Sequence, residues 1–385
     1  MRNFYMRYSL DRMINMELIR YRFDEVTVNF DKKRVPLSGE QRRKRQGQYR
    51  YYGAQGIIDY IDDYIFDGTY LLIAEDGENL KSKKQNIAQI VTGQFWVNNH
   101  AHIVQGNDLC DTRFLCYLIN NMDLSGYITG SAQPKLSQAN LNAVSFMLPT
   151  VEEQRRIVDC LYMFDKKIEI NQRINDNLQE QAQAIYSDMI IENADSTWPS
   201  GALADIASII MGQSPKGDTY NKEGIGSVFF QGRAEFSFRF PIRRLYTTAP
   251  KRMAQANDVL MSIRAPVGDM NVAYENCCIG RGLCAIRSKD NHQSFVLYTI
   301  FALREQLNVF NGEGTVFGSI NRDALHSMPI TIPPKAVIDQ FEEIVAPIDA
   351  VIRNNYEEIC YLEIIRDNFL PKLMSGELDV SSIDL

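Results

Sequence analysis

Two stretches of this chain keep one apolar stripe at helical spacing over many turns. In the first, Ile157, Leu161, Phe164, Ile168, Asn171, Asn175, Leu178, Ala182, Ile185 and Met189 recur at steps of four and three. That is a heptad seam, the pattern of a helix that packs along another helix. No Pro or Gly interrupts residues 151–190, Pro149 stands just before them, and the run STWPSG from Ser196 reads as a break. A single helix over that stretch would be about 60 Å long. The second stretch repeats the seam with Phe341, Val345, Ile348, Ile352, Asn355, Ile359, Leu362 and Phe369. Pro347 within it predicts a kink near the start of that helix. The remaining sequence has another texture. Short apolar runs such as YLLIAEDG (70–77), FWVNNHAHIV (95–104) and NDVLMSIRAPVGDMNVAY (257–274) are punctuated by Gly and Asn-Asp. They predict short strands and turns, with helices near 112–121 and 295–307.

The two seams are copies. A shift of 184 residues pairs Gly130 with Gly314, Leu141 with Leu325, Pro149 with Pro333, Asp165 with Asp349, Ile168 with Ile352, Asn171 with Asn355 and Leu178 with Leu362. The chain therefore reads as a tandem duplication of an α+β domain followed by a long helix. The expected boundaries are 1–150 and 197–334 for the mixed domains, 151–196 and 335–385 for the helical segments. A polar residue in a seam costs stability and fixes register, so Asn171 and Asn355 are the expected partners of an antiparallel helix pair.

Charge sharpens this division. The total over 385 residues is −7, which by itself argues against a nucleic-acid binder. Its distribution does not: residues 1–150 carry 18 basic and 16 acidic side chains and residues 201–334 carry 14 and 11, whereas 151–200 carry 5 and 10 and 335–385 carry 4 and 11. The mixed domains are the basic blocks, and the helices are acidic. No apolar run approaches the length of a membrane span, and the N-terminus lacks an apolar signal core. Seven cysteines, an odd number in a chain of this size, point to free thiols in a reducing cytoplasm.

Catalytic constellations are scarce. There is no P-loop, no HExxH and no Asn/Asp-Pro-Pro-Tyr/Phe loop. The glycines of NGEGTVFG (311–318) are spaced unlike a dinucleotide fingerprint, and EDGENLKSKK (75–84) misses the common nuclease spacing by one residue. His100 and His102 lie two apart, as for a shared strand face, and read more simply as structural or hydrogen-bonding residues than as metal ligands. Cys277, Cys278 and Cys284 lack the paired spacing of a zinc site and read as buried thiols. No metal site is expected. What remains is binding chemistry. QRRKRQGQYRYYGAQG (41–56) sets Arg42, Arg43, Lys44 and Arg45 beside Tyr49 and Arg50, and Lys81, Lys83 and Lys84 form a second knot. In the other basic block, Gln213, Ser214, Lys216 and Tyr220 form a polar loop, followed by Gln231, Arg233 and Arg239. Basic side chains engage phosphates, and Arg or Gln reads base edges. These residues, with His100, are the candidate DNA contacts.

Several of these segments carry a resemblance. MGQSPKGDTYN (211–221), SIRAPVGDMNVA (262–273) and CCIGRGLCAIR (277–287) look like a target-recognition domain of type I restriction–modification specificity subunits, and DGTYLLIAEDG (67–77) with WVNNHAHIV (96–104) looks like another. LPTVEEQRRIV (148–158) with the helix after it resembles the family's central helix, and KLMSGELDV (372–380) its C-terminal end. The resemblance runs from about residue 20, which makes Met16 a candidate start beside Met1. It implies a non-catalytic subunit that binds a bipartite sequence of double-stranded DNA and directs adenine methylation and restriction by its partners. It also implies an antiparallel coiled-coil spacer, two methyltransferase subunits docked on it, and restriction subunits. S-adenosylmethionine, ATP and Mg would then belong to those partners, with no cofactor in this chain. A stand-alone DNA methyltransferase or nuclease is the alternative, against which the missing motifs count.

Overall fold

Two long helices carry the two seams in the computed structural model, which describes residues 17–82, 85–130, 133–312 and 318–378. Lys83, Lys84, the choice between Met1 and Met16, and residues 313–317 of the glycine run lie outside them. In chain order the first half comprises β1 (Ile19–Arg22), α1 (Phe23–Val26), β2 (Thr27–Asn29), α2 (Gly39–Arg43), β3 (Gln46–Gly53), β4 (Gly56–Ile61), β5 (Phe66–Ala74), α3 (Asn79–Ser82), β6 (Ala88–Val97), β7 (Ala101–Gly106), α4 (Thr112–Asn121), α5 (Gln138–Asn142), β8 (Ser145–Leu148) and α6 (Val151–Tyr186). The second half comprises β9 (Ser200–Ala202), α7 (Leu203–Ile206), β10 (Ala207–Met211), β11 (Tyr220–Asn221), β12 (Ser227–Phe230), β13 (Tyr246–Thr247), β14 (Met253–Ala254), β15 (Val259–Ser262), β16 (Met270–Val272), β17 (Cys277–Ile279), β18 (Leu283–Ser288), α8 (Gln293–Ala302), α9 (Arg304–Asn308), α10 (Arg322–His326), β19 (Pro329–Thr331) and α11 (Lys335–Met374). These elements form two units. One holds the residues up to Glu169 and those from Ile359; the other is Ile170–Glu358. Each unit thus takes one part of both long helices.

In the first unit a six-stranded sheet, in the order β2-β7-β5-β6-β3-β4, is antiparallel except at the β3–β6 pair. The apolar positions of β5 and β7 face α4 and the long helices, so Leu71, Ile73, Val104, Phe114, Leu115 and Ile119 form one core with Ile157, Leu161 and Leu373. The helix α6 starts on a capping box, with the Glu153 carboxylate accepting from the Thr150 N–H and hydroxyl. Seam residues Ile157, Leu161 and Ile168 are buried, and Leu362 is half-buried. Phe164 meets Phe369 edge-on at 6.3 Å, and Arg366 donates to Asp165 at 2.8 Å. Residue numbers fall along α11 as they rise along α6, so this helix pair is antiparallel.

In the second unit a four-stranded sheet, β10-β18-β15-β16, and a five-stranded sheet, β11-β13-β12-β17-β14, share the load of the core. Cys277 enters one apolar cluster and Cys284 another, both thiols pushed up to about 12 by burial; all three cysteines of the cluster are free and buried. Here Phe341, Val345 and Ile352 are buried seam positions, with Ile348, Leu178 and Asn355 half-buried. The seam asparagines pair differently from the sequence expectation. Asn355 donates to Asn175 Oδ1 at 2.9 Å, while Asn171 donates to Glu358 Oε2 at 2.7 Å. Equivalence under the 184-residue shift does not set the contact; antiparallel packing does, and it moves the partner of Asn355 by one turn. After Ala182 the buried positions are Tyr186 and Ile190, with Ile185 and Met189 only half-buried. The chain then passes into a π-helical turn over Ser187–Glu192. The helix α11 continues unbroken through Pro347, which lies on its exposed side.

The two units repeat one framework. Each opens with a short strand and a single helical turn whose first N–H is taken by a strand-preceding carbonyl: Phe23 N–H donates to Val144 O at 2.8 Å, and Leu203 N–H to Met328 O at 2.9 Å. The opening strand pairs with the strand that precedes the long helix, β1 with β8 and β9 with β19. The helices α5 and α10 are N-capped by Ser137 and Asn321, again 184 residues apart. A further node ties each mixed domain to its helix. The Tyr117 hydroxyl donates to Asp165 in the first unit, and the Tyr298 hydroxyl donates to Asp349 at 2.9 Å in the second. Burial, reinforced by the carboxylates, pushes both hydroxyls far above the usual tyrosine range, so each stays a donor. The counter-charge differs: Arg366 from α11 in one, Arg239 from a loop in the other. Arg239 was a candidate DNA contact in sequence. Its side chain is only 4% exposed, bonded to Asp349 and Gln179, so it is spent on structure.

That burial yields a stability prediction. Arg239→Met leaves the Asp349 carboxylate without its cation and is expected to cost about 3 kcal/mol, read as a lowered urea midpoint. Combining it with Asp349→Leu removes the stranded charge and should recover most of the deficit. Equal destabilisation by the single and double variants would show that packing, not the ion pair, holds this node.

Candidate nucleic-acid interface

Four segments far apart in sequence converge on one cleft of the second unit, with a volume of about 390 Å³. Ser214 comes from the loop after β10, Gln231 to Glu235 from the turn after β12, Ser262, Arg264 and Ala265 from the end of β15, and Arg281 and Gly282 from the β17–β18 turn. The glycines of CCIGRGLC explain how they meet. A Cβ on Gly280 would stand 2.8 Å from the Gln231 Cα, and one on Gly282 would stand 2.9 Å from the Gln231 carbonyl oxygen. With no side chain in the way, Gly282 N–H donates to Gln231 O at 3.2 Å and Gly280 N–H to Phe230 O at 2.8 Å. Ile263 N–H donates to Gly282 O at 3.0 Å, and the Ser262 hydroxyl accepts from Asp269 N–H at 3.0 Å, which fixes the third segment to the same floor. The result is a cleft whose rim carries arginines.

Of the sequence candidates, Ser214, Gln231 and Arg233 line this cleft. Arg233 is paired with Asp269 at 2.5 Å, and Ser214 Oγ accepts from Arg281 N–H at 3.2 Å. Gln213 and Lys216 are exposed on the neighbouring loop. Tyr220 is turned to the protein: its hydroxyl donates to Pro215 O at 3.0 Å and its ring lies on Phe229. Arg264 and Arg281 are exposed rim residues absent from the sequence candidates. They were legible as members of SIRAPVG and GRGLC, but neither belongs to a basic run.

The basic run of the first unit is less free than its composition implies. Arg42 on α2 bonds Asp59 at 2.9 Å and lies over the Tyr51 ring. Arg45 bonds Asp62 at 2.9 Å and reaches Asp63 at 3.5 Å, stacked on Trp96. Arg42 pins α2 to β4, and Arg45 pins the residues after α2 to those just past β4. Arg43 is exposed. Lys44 meets Glu40 at 2.6 Å, with both side chains about three-quarters exposed, a geometry worth little in water. Arg50 donates to Thr92 O at 2.5 Å, and Tyr49 lies 5.1 Å from Tyr64. Lys81 donates to Gly130 O at 3.0 Å.

The two histidines meet different partners. His100 sits in the turn before β7, half-exposed, with Nδ1 2.7 Å from Asp76. His102 lies inside β7 and is buried, its Nδ1 2.6 Å from Asp31 and its Nε2 2.8 Å from the Leu136 carbonyl. Burial alone would raise the Asp31 carboxyl, but the His102 hydrogen bond, the Ile103 N–H and the charges of His102 and Arg34 outweigh it and hold it below the usual range. Glu75, bonded by Arg34 at 2.9 Å and Lys135 at 3.3 Å, is lowered in the same way against its burial. No group of three or more potential metal ligands occurs among the described residues.

Comparison with known proteins adds to this geometry. A family model described as the type I restriction modification DNA specificity domain matches residues 21–180 and again residues 195–359. A Methanocaldococcus jannaschii protein named for the specificity subunit of the MjaX type I restriction enzyme is 31% identical over 296 residues, covering 70% of this chain and 68% of that protein. The MjaIX specificity subunit of the same organism is 22% identical over 307 residues, covering 71% of this chain and 70% of its own. Among solved structures, the type I restriction–modification S subunit of M. genitalium aligns with a TM-score of 0.58 at 14% identity, over 94% of this chain and 96% of that one.

The ion pairs divide the basic run into two roles that can be told apart. If the first unit meets phosphate through this run, Arg43→Gln with Lys44→Gln should lower the slope of log affinity against log salt by about 0.9 for each phosphate that is no longer neutralised. Neutralising Arg42 and Arg45 should instead lower the melting temperature, because they hold α2 and the residues after it. The opposite pattern would mean that the pairs with Asp59 and Asp62 open on DNA. A further prediction concerns acid. A carboxyl held below its ordinary value contributes stability above the unfolded pKa, and this is lost as pH falls through the folded one. Asp31→Asn should therefore be least stable relative to wild type near pH 6, with the gap closing below about pH 4. Urea midpoints taken across that range give the answer, and a gap independent of pH would exclude the Asp31 carboxylate as its source.

Proposed function

We propose a function for this chain from one premise: it belongs to the type I restriction–modification DNA specificity family. On this reading each mixed domain recognises one half of a split sequence in double-stranded DNA. The antiparallel helices set the separation of the halves, as a ruler would, against a duplex that repeats every ~34 Å. The chain performs no chemistry itself. Adenine methylation and DNA cleavage belong to partner methyltransferase and restriction subunits, two methyltransferase subunits docking on the helices, one for each repeat. S-adenosylmethionine, ATP and Mg act in those partners. The place of action is the cytoplasm, where the DNA is; no helix among the described residues is long and apolar enough to cross a membrane.

One observation carries this reading most. The entire framework is duplicated, from the opening strand to the Tyr–Asp node on the long helix, while the surfaces the two copies present are different. The first presents the exposed Arg43 and Lys44 at the end of α2, and the second an arginine-rimmed cleft. A shared scaffold with different reading surfaces is what recognition of two unlike half-sites requires. Acidic helices between basic domains support it further, since they leave phosphate binding to the domains.

The test is an exchange. Residues 197–334 are replaced by the corresponding block of a relative with another specificity, and the methylated motif is mapped by sequencing. One half of the motif should change and the other half and the spacing should stay. A change in both halves would rule out independent reading by the two domains.

A further inference from the structure

The cleft of the second unit holds a group that phosphate binding does not explain. Glu235 lines it, beside Arg233, Arg264 and Arg281. Its Oε2 is sealed from water and has no hydrogen-bond partner among the described residues. Burial raises its carboxyl above the ordinary value, against the pull of its own backbone N–H and of the Arg244 charge. Folded chains seldom leave a buried carboxylate oxygen without a donor. A carboxylate in a phosphate cleft also repels the ligand that the arginines attract. The missing donor is supplied by one ligand chemistry, a neutral N–H group delivered by the DNA itself once the carboxyl turns toward the cleft.

The major groove supplies that donor at two bases. Cytosine N4 and adenine N6 donate there and carboxylates accept from them, whereas guanine and thymine present acceptors. The backbone under Glu235 is fixed in advance. Phe236 N–H donates to Arg233 O at 3.0 Å, Ile242 N–H donates to Glu235 O at 2.8 Å, and Asp269 holds Arg233. The side chain is left to turn, and its terminal torsion is broad. Arg264 and Arg281, exposed on the rim, line the same cleft.

We infer that Glu235 is a specificity-determining residue of the second unit. It accepts a hydrogen bond from the exocyclic amino group of an adenine or a cytosine in the major groove, while Arg264 and Arg281 engage the neighbouring backbone. The inference rests on the DNA-reading function proposed above.

The test uses the full chain assembled with its methyltransferase subunits, and it reads binding, not methylation. Once the motif is mapped, each adenine or cytosine of the half-site is replaced in turn by an analogue without the amino group. With wild-type protein, one such replacement should weaken binding about 10-fold. With Glu235→Ala that same replacement should weaken binding no further, while the effects at other positions remain. Whether the sensitive position is an adenine or a cytosine identifies the base. Glu235→Gln, closest in shape, provides a second variant that retains the fold: its amide adds a donor and should shift tolerance at that position toward a base with an oxo group. If wild type and both variants respond alike to every analogue, Glu235 reads no amino group and the inference is overturned with the DNA-reading function intact. If the wild-type assembly binds the mapped duplex no better than a scrambled one, the function itself falls, and the inference with it.

Discussion

A carboxylate clasped between a tyrosine hydroxyl and a guanidinium sits where each mixed domain meets the long helices of its unit. Asp165 and Asp349 occupy equivalent places on the two long helices, and Tyr117 and Tyr298 reach them from equivalent domain helices. An amphipathic helix can roll on an apolar surface at little cost, because hydrophobic contact is not directional. A buried, charge-assisted hydrogen bond is directional, and it admits one rotation and one height. The node therefore converts two adjoining pieces into one oriented body. Whatever the rim of a domain reads, its position along the helix is set here.

The long helices were readable because nothing competes with their period. Heptad spacing over many turns, with no proline or glycine in the first copy, leaves one structure, and the duplication reinforces it. The strands were readable only as a class. Short apolar runs between glycines announce β structure without disclosing that β3 and β6, or β12 and β17, pair in parallel. Tertiary pairing of charges was invisible for a related reason. The run RRKR looks like a phosphate-binding face, yet β4 and the residue after it deliver Asp59 and Asp62 to Arg42 and Arg45. A count of charges along the chain cannot tell a cation offered to solvent from one already taken.

The candidate cleft shows the same limit in reverse. Arg264, Arg281 and Glu235 come from three loops, and none stands in a cluster that composition would detect. Only the fold assembles them. The two arginine nodes make the point again: Arg366 and Arg239 do equivalent work from places that the duplication does not relate, so the repeat in sequence foretells the carboxylates and not their cations. Duplicated scaffolds keep what geometry demands and solve the rest locally.

The floor of that cleft is made of main chain. Gly280 and Gly282 let one turn lie directly on the backbone of another, so these two turns are joined through amides and carbonyls. A surface held in this way separates two inheritances. The side chains that face outward can be exchanged one at a time, while the main-chain bonds between the two glycine-bearing turns are left as they were. Such a protein can acquire a new text to read without learning again how to hold the page.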